Sequence, residues 1–153
     1  MSVAFRRDCD EEHLEPKFEL PIPPGPNLVT ERGYALIAAR VAEIEAQLAG
    51  ELGEDERKAV LRDARYWRSR LTTAQPAPPP AGDIVAVGTR VTFDRGGQSR
   101  IVDIVGHDES DPASDRISFL SPLARALLGG AVGDECEFAG ADQPLTIIAI
   151  KVA

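Results

Sequence analysis

Apolar residues recur at alternating spacings of three and four at Tyr34, Ile37, Val41, Ile44 and Leu48, and again at Val60, Ala64, Trp67, Leu71 and Ala74. That rhythm puts each set on one stripe of a helix, so two amphipathic helices with apolar seams are predicted. Thr30 is the predicted N-cap of the first, with Val29 and Tyr34 at N′ and N4 as a hydrophobic staple. Gly33 stands at N3, where a capping box would need Glu or Gln. Only Gly50 to Gly53 separates the helices, and so short a connection favours antiparallel neighbours. Residues 29–75 therefore read as a helical hairpin, a short coiled coil. Glu31 to Ala49 rises about 28 Å at 1.5 Å per residue, which makes the hairpin a short rod.

Beyond residue 83 the period changes to two. Ile84–Val87, Thr89–Asp94, Gln98–Val105, Arg116–Phe119, Glu135–Phe138 and Leu145–Val152 read as strands. Arg95-Gly96-Gly97 is predicted to close a hairpin between two of them. Ser121 as N-cap, Pro122 at N1 and Gly129 at C′ bound one short helix, Leu123–Leu128. Residues 83–153 are thus expected to form a small, mainly antiparallel β domain with one short helix, which makes the whole chain α+β. Nine of the twelve prolines fall in Pro16–Pro26 and Pro76–Pro80, where they exclude helix and sheet interior. They set off residues 1–28 as an extended acidic arm and residues 76–82 as a linker.

Composition narrows the functional classes. A chain of 153 residues that is 43% hydrophobic and 27% charged is globular, but 5% aromatic content argues against a large enzyme core. Twenty-five acidic against seventeen basic residues leave a net charge of −8, which repels phosphate backbones and anionic membranes. A protein partner fits better. No apolar run approaches a membrane span and the N-terminus lacks an apolar signal core, so a cytoplasmic location is expected. Cys9 and Cys136 lie in unlike contexts and read as two reduced thiols.

Few residues point to chemistry of the chain's own. His13 falls in the arm and His107 in a turn, neither in a nucleophile or metal-ligand motif, and no phosphate-binding loop opens onto a helix. The turn Gly50-Glu51-Leu52-Gly53-Glu54-Asp55-Glu56 holds four carboxylates in six residues. Glu54, Asp55 and Glu56 suit the first turn of the second helix, where acids complement the dipole. Alternatively, Glu51 and Glu54, three apart, share a divalent cation through hard oxygen ligands. Arg57, Lys58, Arg62, Arg65, Arg68 and Arg70 form either a solvated face or a contact for nucleic acid held in place by a third party.

Two segments carry a family resemblance: Ile104-Val105-Gly106-His107-Asp108-Glu109-Ser110-Asp111 and Ser121-Pro122-Leu123-Ala124-Arg125-Ala126-Leu127-Leu128-Gly129, preceded by a helical hairpin, resemble the GreA/GreB transcript-cleavage family. The similarity runs from about Leu28 to Val152. It implies an FKBP-like fold for the C-terminal domain, docking on RNA polymerase, and a hairpin that enters the polymerase secondary channel. Asp108, Asp111, Ser121, Pro122, Leu123, Ala124 and Arg125 are then the polymerase-binding candidates. Gly50-Glu51-Leu52-Gly53-Glu54-Asp55 resembles the family's acidic tip, so Glu51 and Glu54, with Asp55 and Glu56 beside them, are the tip candidates. Glu51 and Glu54 would hold Mg²⁺ only in the polymerase complex, and the chain would have no cofactor of its own. Arg57, Lys58 and Arg62 would face the RNA 3′ end.

The segment from Thr30 to Glu51 is several helical turns shorter than in the cleavage factors, and each missing turn withdraws the tip by about 5.4 Å. In this the chain is similar to Rnk, a short-hairpin relative that binds polymerase, and regulation without cleavage stands beside stimulated cleavage. The enzyme would be the polymerase, and the chain a monomeric elongation factor. A peptidyl-prolyl isomerase is the rival implied by the fold, but Phe93, Phe119 and Phe138 alone do not easily make its aromatic pocket.

Overall fold

The structure, a computed structural model, describes residues 20–138 and 143–153. Cys9, His13 and the arm up to residue 19 lie outside the described residues. The described chain falls into two compact units, one containing Ile37–Thr73 and the other Pro26–Leu36 with Ala74–Ala153.

Thr30 caps helix α1 (Glu31–Ala49): its Oγ1 accepts from the Gly33 N–H at 3.0 Å, and its carbonyl accepts from Tyr34 N–H at 2.8 Å. Gly50–Gly53 turns the chain into α2 (Glu54–Thr73). Ile37, Ile44 and Ala64 are buried to 1–2% exposure, while Val41, Leu48, Val60, Trp67 and Leu71 are half-buried along the same stripes. The Arg68 guanidinium reaches across to Glu45 at 2.6 Å, and Arg40 lies 5.9 Å over the Trp67 ring. Tyr34 and Arg70 depart from the predicted pattern. Tyr34, expected in the seam and the staple, is 46% exposed; Val29 is instead buried beside Gly106, whose Cβ position lies 3.4 Å from Val29 Cα. Arg70, expected on the solvated face, is buried, with its guanidinium 6.0 Å over the ring of buried Tyr66.

The other unit is built on a five-stranded sheet in the order β5-β4-β3-β7-β6, from β3 (Thr89–Arg95), β4 (Gln98–Val105), β5 (Arg116–Ser118), β6 (Glu135–Cys136) and β7 (Leu145–Val152). Among the described residues of this sheet, the β4–β5 pair is parallel and the other pairs are antiparallel. Gly96 and Gly97, both at positive φ, close the β3–β4 hairpin as predicted. Alternation sends Val91, Phe93, Val102, Ile104, Leu145 and Ile147 to one face, where Ala124 and Leu127 of α3 (Pro122–Leu127) complete the core.

Three expectations about strands and linkers are corrected. Ile84–Val87 is not a strand: it makes one bridge, Ile84 to Ala131, yet Val85 and Val87 are buried in the core. Their alternation reports burial, and the Val85 N–H is satisfied by Gly130 O at 2.9 Å without a ladder. The segment predicted as Glu135–Phe138 pairs only over Glu135–Cys136. Finally, Asn27 and Leu28, assigned to the arm, and Ala74, assigned to the helical seam, belong to a two-stranded parallel sheet of β1 (Asn27–Val29) and β2 (Ala74–Pro76). Pro76 ends its strand, and Ala77 N–H continues the bonding to Val29 O at 2.9 Å, which is how a proline is accommodated beside a ladder. No helix among the described residues is long and apolar enough to cross a membrane.

Candidate functional site

At the turn of the hairpin, Glu51, Glu54, Asp55 and Glu56 are all exposed. Glu51 lies in the connection, whereas Glu54, Asp55 and Glu56 form the first turn of α2, where the helix's unpaired N–H groups favour negative charge. Glu56 has a further local role. A Cβ on Gly53 would lie 3.3 Å from Glu56 Oε1, so this carboxylate folds back over the residue preceding the helix, as an N3 acid does in a cap. Glu51, Glu54 and Asp55 are left facing solvent. Two carboxylates supply only part of the six or so oxygens a Mg²⁺ requires, and no group of three or more metal-ligating side chains exists among the described residues. A metal held at the tip would take its remaining ligands from water or from a partner. Arg57 and Lys58 are exposed one turn on, and Arg62 is half-buried.

In the C-terminal unit, the predicted docking residues flank β5. Asp108 lies in the turn His107–Glu109 and Asp111 just before Pro112–Ser114; both are half-buried. The Asp111 carboxylate accepts from Ser114 Oγ at 2.8 Å, which spends part of it on its own turn. Ser121 caps α3, its Oγ accepting from Ala124 N–H at 3.3 Å, with Pro122 at N1. Ala124 is corrected as a contact residue: it is 0% exposed in the core and presents nothing to a partner. Pro122 and Arg125 are exposed and Leu123 is half-buried. Leu123 lines a cavity with Phe93, Phe138, Leu145, Arg95 and Arg100, in which Arg95 sits 5.7 Å over the Phe138 ring. Phe119 is buried elsewhere and does not line it, so the aromatic wall is two rings.

One residue of this region carries more structure than its pattern suggested. Glu109, beside Asp108, is 6% exposed, and its Oε2 accepts from the Thr30 hydroxyl at 2.6 Å. Gly106, three residues earlier, packs so tightly that a Cβ would lie 2.7 Å from Leu28 O. The signal in the sequence was indirect: a glycine at N3 of a helix that otherwise has its cap.

Cys136 is half-buried, and burial, with the Asp134 charge as a lesser cause, raises its thiol above the usual range. On the outer face of the sheet Arg90 donates to both Asp103 oxygens, at 2.7 and 3.1 Å, and the pair raises the guanidinium further.

Residues 79–152 match the family model described as transcription elongation factor, GreA/GreB, C-term. The chain is similar to the transcription elongation factor GreA of Desulfovibrio desulfuricans, 36% identical over 117 residues that cover 71% of this chain and 72% of that protein. It is also similar to the GreB of Neisseria meningitidis serogroup A, 39% identical over 87 residues, 54% of this chain and 53% of that one. Among solved structures, the GreA factor homolog Gfh1 of Thermus thermophilus aligns over 83% of this chain and 99% of its own at 18% identity, with a TM-score of 0.41.

Proposed function

The chain belongs to the GreA/GreB family of transcription elongation factors, and on that premise we propose that it docks on RNA polymerase through its C-terminal domain and modulates the polymerase active site from the secondary channel. The observation that carries this reading is the hairpin turn, where Glu51, Glu54 and Asp55 face solvent at the end of two helices of 19 and 20 residues. A solvated acidic turn on a rod can be placed inside a larger machine, whereas its carboxylates alone would hold a metal only weakly. Pro122 and Arg125, exposed on α3, with Asp108 and Asp111 across β5, are the proposed grip. The chain acts as a cytoplasmic monomer, and the chemistry is the polymerase's.

Stimulated cleavage of backtracked RNA is the second reading. It is favoured by the acidic turn and by Arg57, Lys58 and Arg62 close behind it, which would face the RNA 3′ end in the complex. The rod opposes it, because α1 rises only about 28 Å and a ligating carboxylate must come within a few Å of the catalytic Mg²⁺. Occupation of the channel without cleavage is therefore the conclusion. The test uses stalled, backtracked polymerase with end-labelled RNA, comparing the wild type with Glu51→Gln plus Glu54→Gln. Co-purification and altered elongation without short 3′ fragments is the expected result. Fragments that vanish in the double variant would transfer the conclusion to cleavage, and failure to co-purify at low ionic strength would overturn docking itself.

A further inference from the structure

The first turn of α1 carries an incomplete cap. Thr30 accepts from the Gly33 N–H at 3.0 Å, but N3 is glycine and offers no carboxylate. Another part of the chain fills that space. A Cβ on Gly33 would lie 2.6 Å from Glu109 Oε2 and 3.3 Å from its Cδ, so the Glu109 carboxylate occupies the place where an N3 side chain would begin. The same oxygen accepts the hydrogen bond from the Thr30 hydroxyl at 2.6 Å, and Oε1 lies 4.0 Å from the exposed Arg32 guanidinium. A buried carboxylate is tolerated only with such partners, and the helix's positive end supplies more of the compensation. Donation to a carboxylate also polarises the Thr30 hydroxyl, which strengthens it as acceptor for Gly33. On the loop's other side, Gly106 lets Leu28 O approach to 2.7 Å from its Cβ position. Helix start and loop are thus keyed together by two glycines and one carboxylate.

We propose that Glu109 is a positioning residue that completes the N-cap of α1 from a distance of 79 residues in sequence and pins the start of the hairpin's first helix to the loop bearing Asp108 and Asp111. Glu109 itself is not a polymerase contact. The functional half of this proposal rests on the reading above; the structural half does not.

The experiment is a double-mutant cycle followed by a swap. In the wild type, Gly33→Ala drives a Cβ into the carboxylate, and amide exchange at position 33 and at Tyr34 accelerates about fivefold or more; Glu109→Ala removes the cap's partner with a similar loss. With Glu109→Ala already present, Gly33→Ala meets only Thr30 Oγ1 at 3.4 Å, and its effect reverses sign, because alanine is the better helix former. Equal losses from Gly33→Ala in both backgrounds would overturn the proposal. In the swap, Gly33→Glu with Glu109→Ala rebuilds the capping box within the helix but leaves the loop unpinned. Exchange protection is then regained, and polymerase binding stays within about twofold of wild type, while modulation of elongation remains at the Glu109→Ala level. Regained modulation in the swap would reduce Glu109 to a cap and overturn its positioning role. Should the wild type fail to bind polymerase, the functional reading and with it the positioning role fall together, whereas the cycle still decides the cap.

Discussion

The Ser121 hydroxyl accepts its hydrogen bond from the amide of Ala124, while Ala124's own methyl is sealed in the core. The run Ser121–Arg125 therefore has an inward side that builds α3 and an outward side, Pro122 and Arg125, that remains available. The two sides should separate by mutation. Ser121→Ala is expected to cost about 1 kcal/mol of stability through the lost cap, measured by urea unfolding. Arg125→Ala should stay within about 0.5 kcal/mol and instead weaken capture of RNA polymerase. Normal capture by an Arg125→Ala chain would remove that residue from the docking surface.

Two adjacent glycines are expected to fail for different reasons. Gly130 is hemmed in, with a Cβ position 2.5 Å from Ile147 Cδ1 and 3.1 Å from Leu127 O, so Gly130→Ala overpacks the core and should cost roughly 1–3 kcal/mol. Gly129 meets nothing within 4 Å but holds φ at +84°, the C′ conformation that stops α3. There Gly129→Ala should cost about 1 kcal/mol, and Gly129→Asn less, since asparagine visits that region more readily. Equal effects of Ala and Asn at 129 would contradict the backbone explanation.

Much of the fold was legible because its signals are local. The spacing of Ile37 and Ile44, the Thr30 cap and the Gly50–Gly53 connection define the hairpin within about twenty residues at a time, and Ser121-Pro122 with Gly129 define α3. Val85 and Val87 show the limit of alternation: it registers that a side chain is buried, not that its backbone is laddered. β1 and β2 were hidden because a parallel pair joined across the whole hairpin leaves no mark in either three-residue segment, and prolines beside both pointed away from pairing. At the candidate site, the exposed acids of the turn were visible as charge in a connection. Glu109 was not, because an acid between Asp108 and Ser110 looks solvated until Thr30 and Gly33 are brought against it. Arg70 looks solvated in the sequence because Tyr66, the buried neighbour one turn earlier, lies off the apolar stripe.

The Cys136 thiol should react slowly. Burial and the Asp134 charge both favour the protonated form, so at any pH from 7 to 9 less thiolate is present than in an unhindered thiol. In a Cys9→Ser background, alkylation by iodoacetamide should be slower in the native protein than in urea, and Asp134→Asn should speed it slightly. The linkage has a definite sign. The folded thiol holds its proton above the unfolded pKa of about 8.5, so its contribution to stability is absent at neutral pH and turns unfavourable as pH rises beyond that value. Native alkylation as fast as in urea would show the thiol to be free.

The hairpin should depend on its seam far more than on its charges. Ile44 is 2% exposed, and Ile44→Ala both loses transfer free energy and leaves a cavity, about 2–4 kcal/mol together. The Arg68–Glu45 pair, by contrast, joins side chains 47% and 50% exposed, where screening and side-chain entropy leave at most about 1 kcal/mol. Helical ellipticity followed through urea should therefore lose its midpoint in Ile44→Ala and barely shift in Arg68→Ala, and added salt should move the wild type little. If the short rod works by occupying a channel, it must stay rigid to its turn, so Ile44→Ala should also abolish modulation of elongation while leaving Glu51, Glu54 and Asp55 intact. A destabilised hairpin that still modulates would mean that the C-terminal domain, and not the rod, carries the effect.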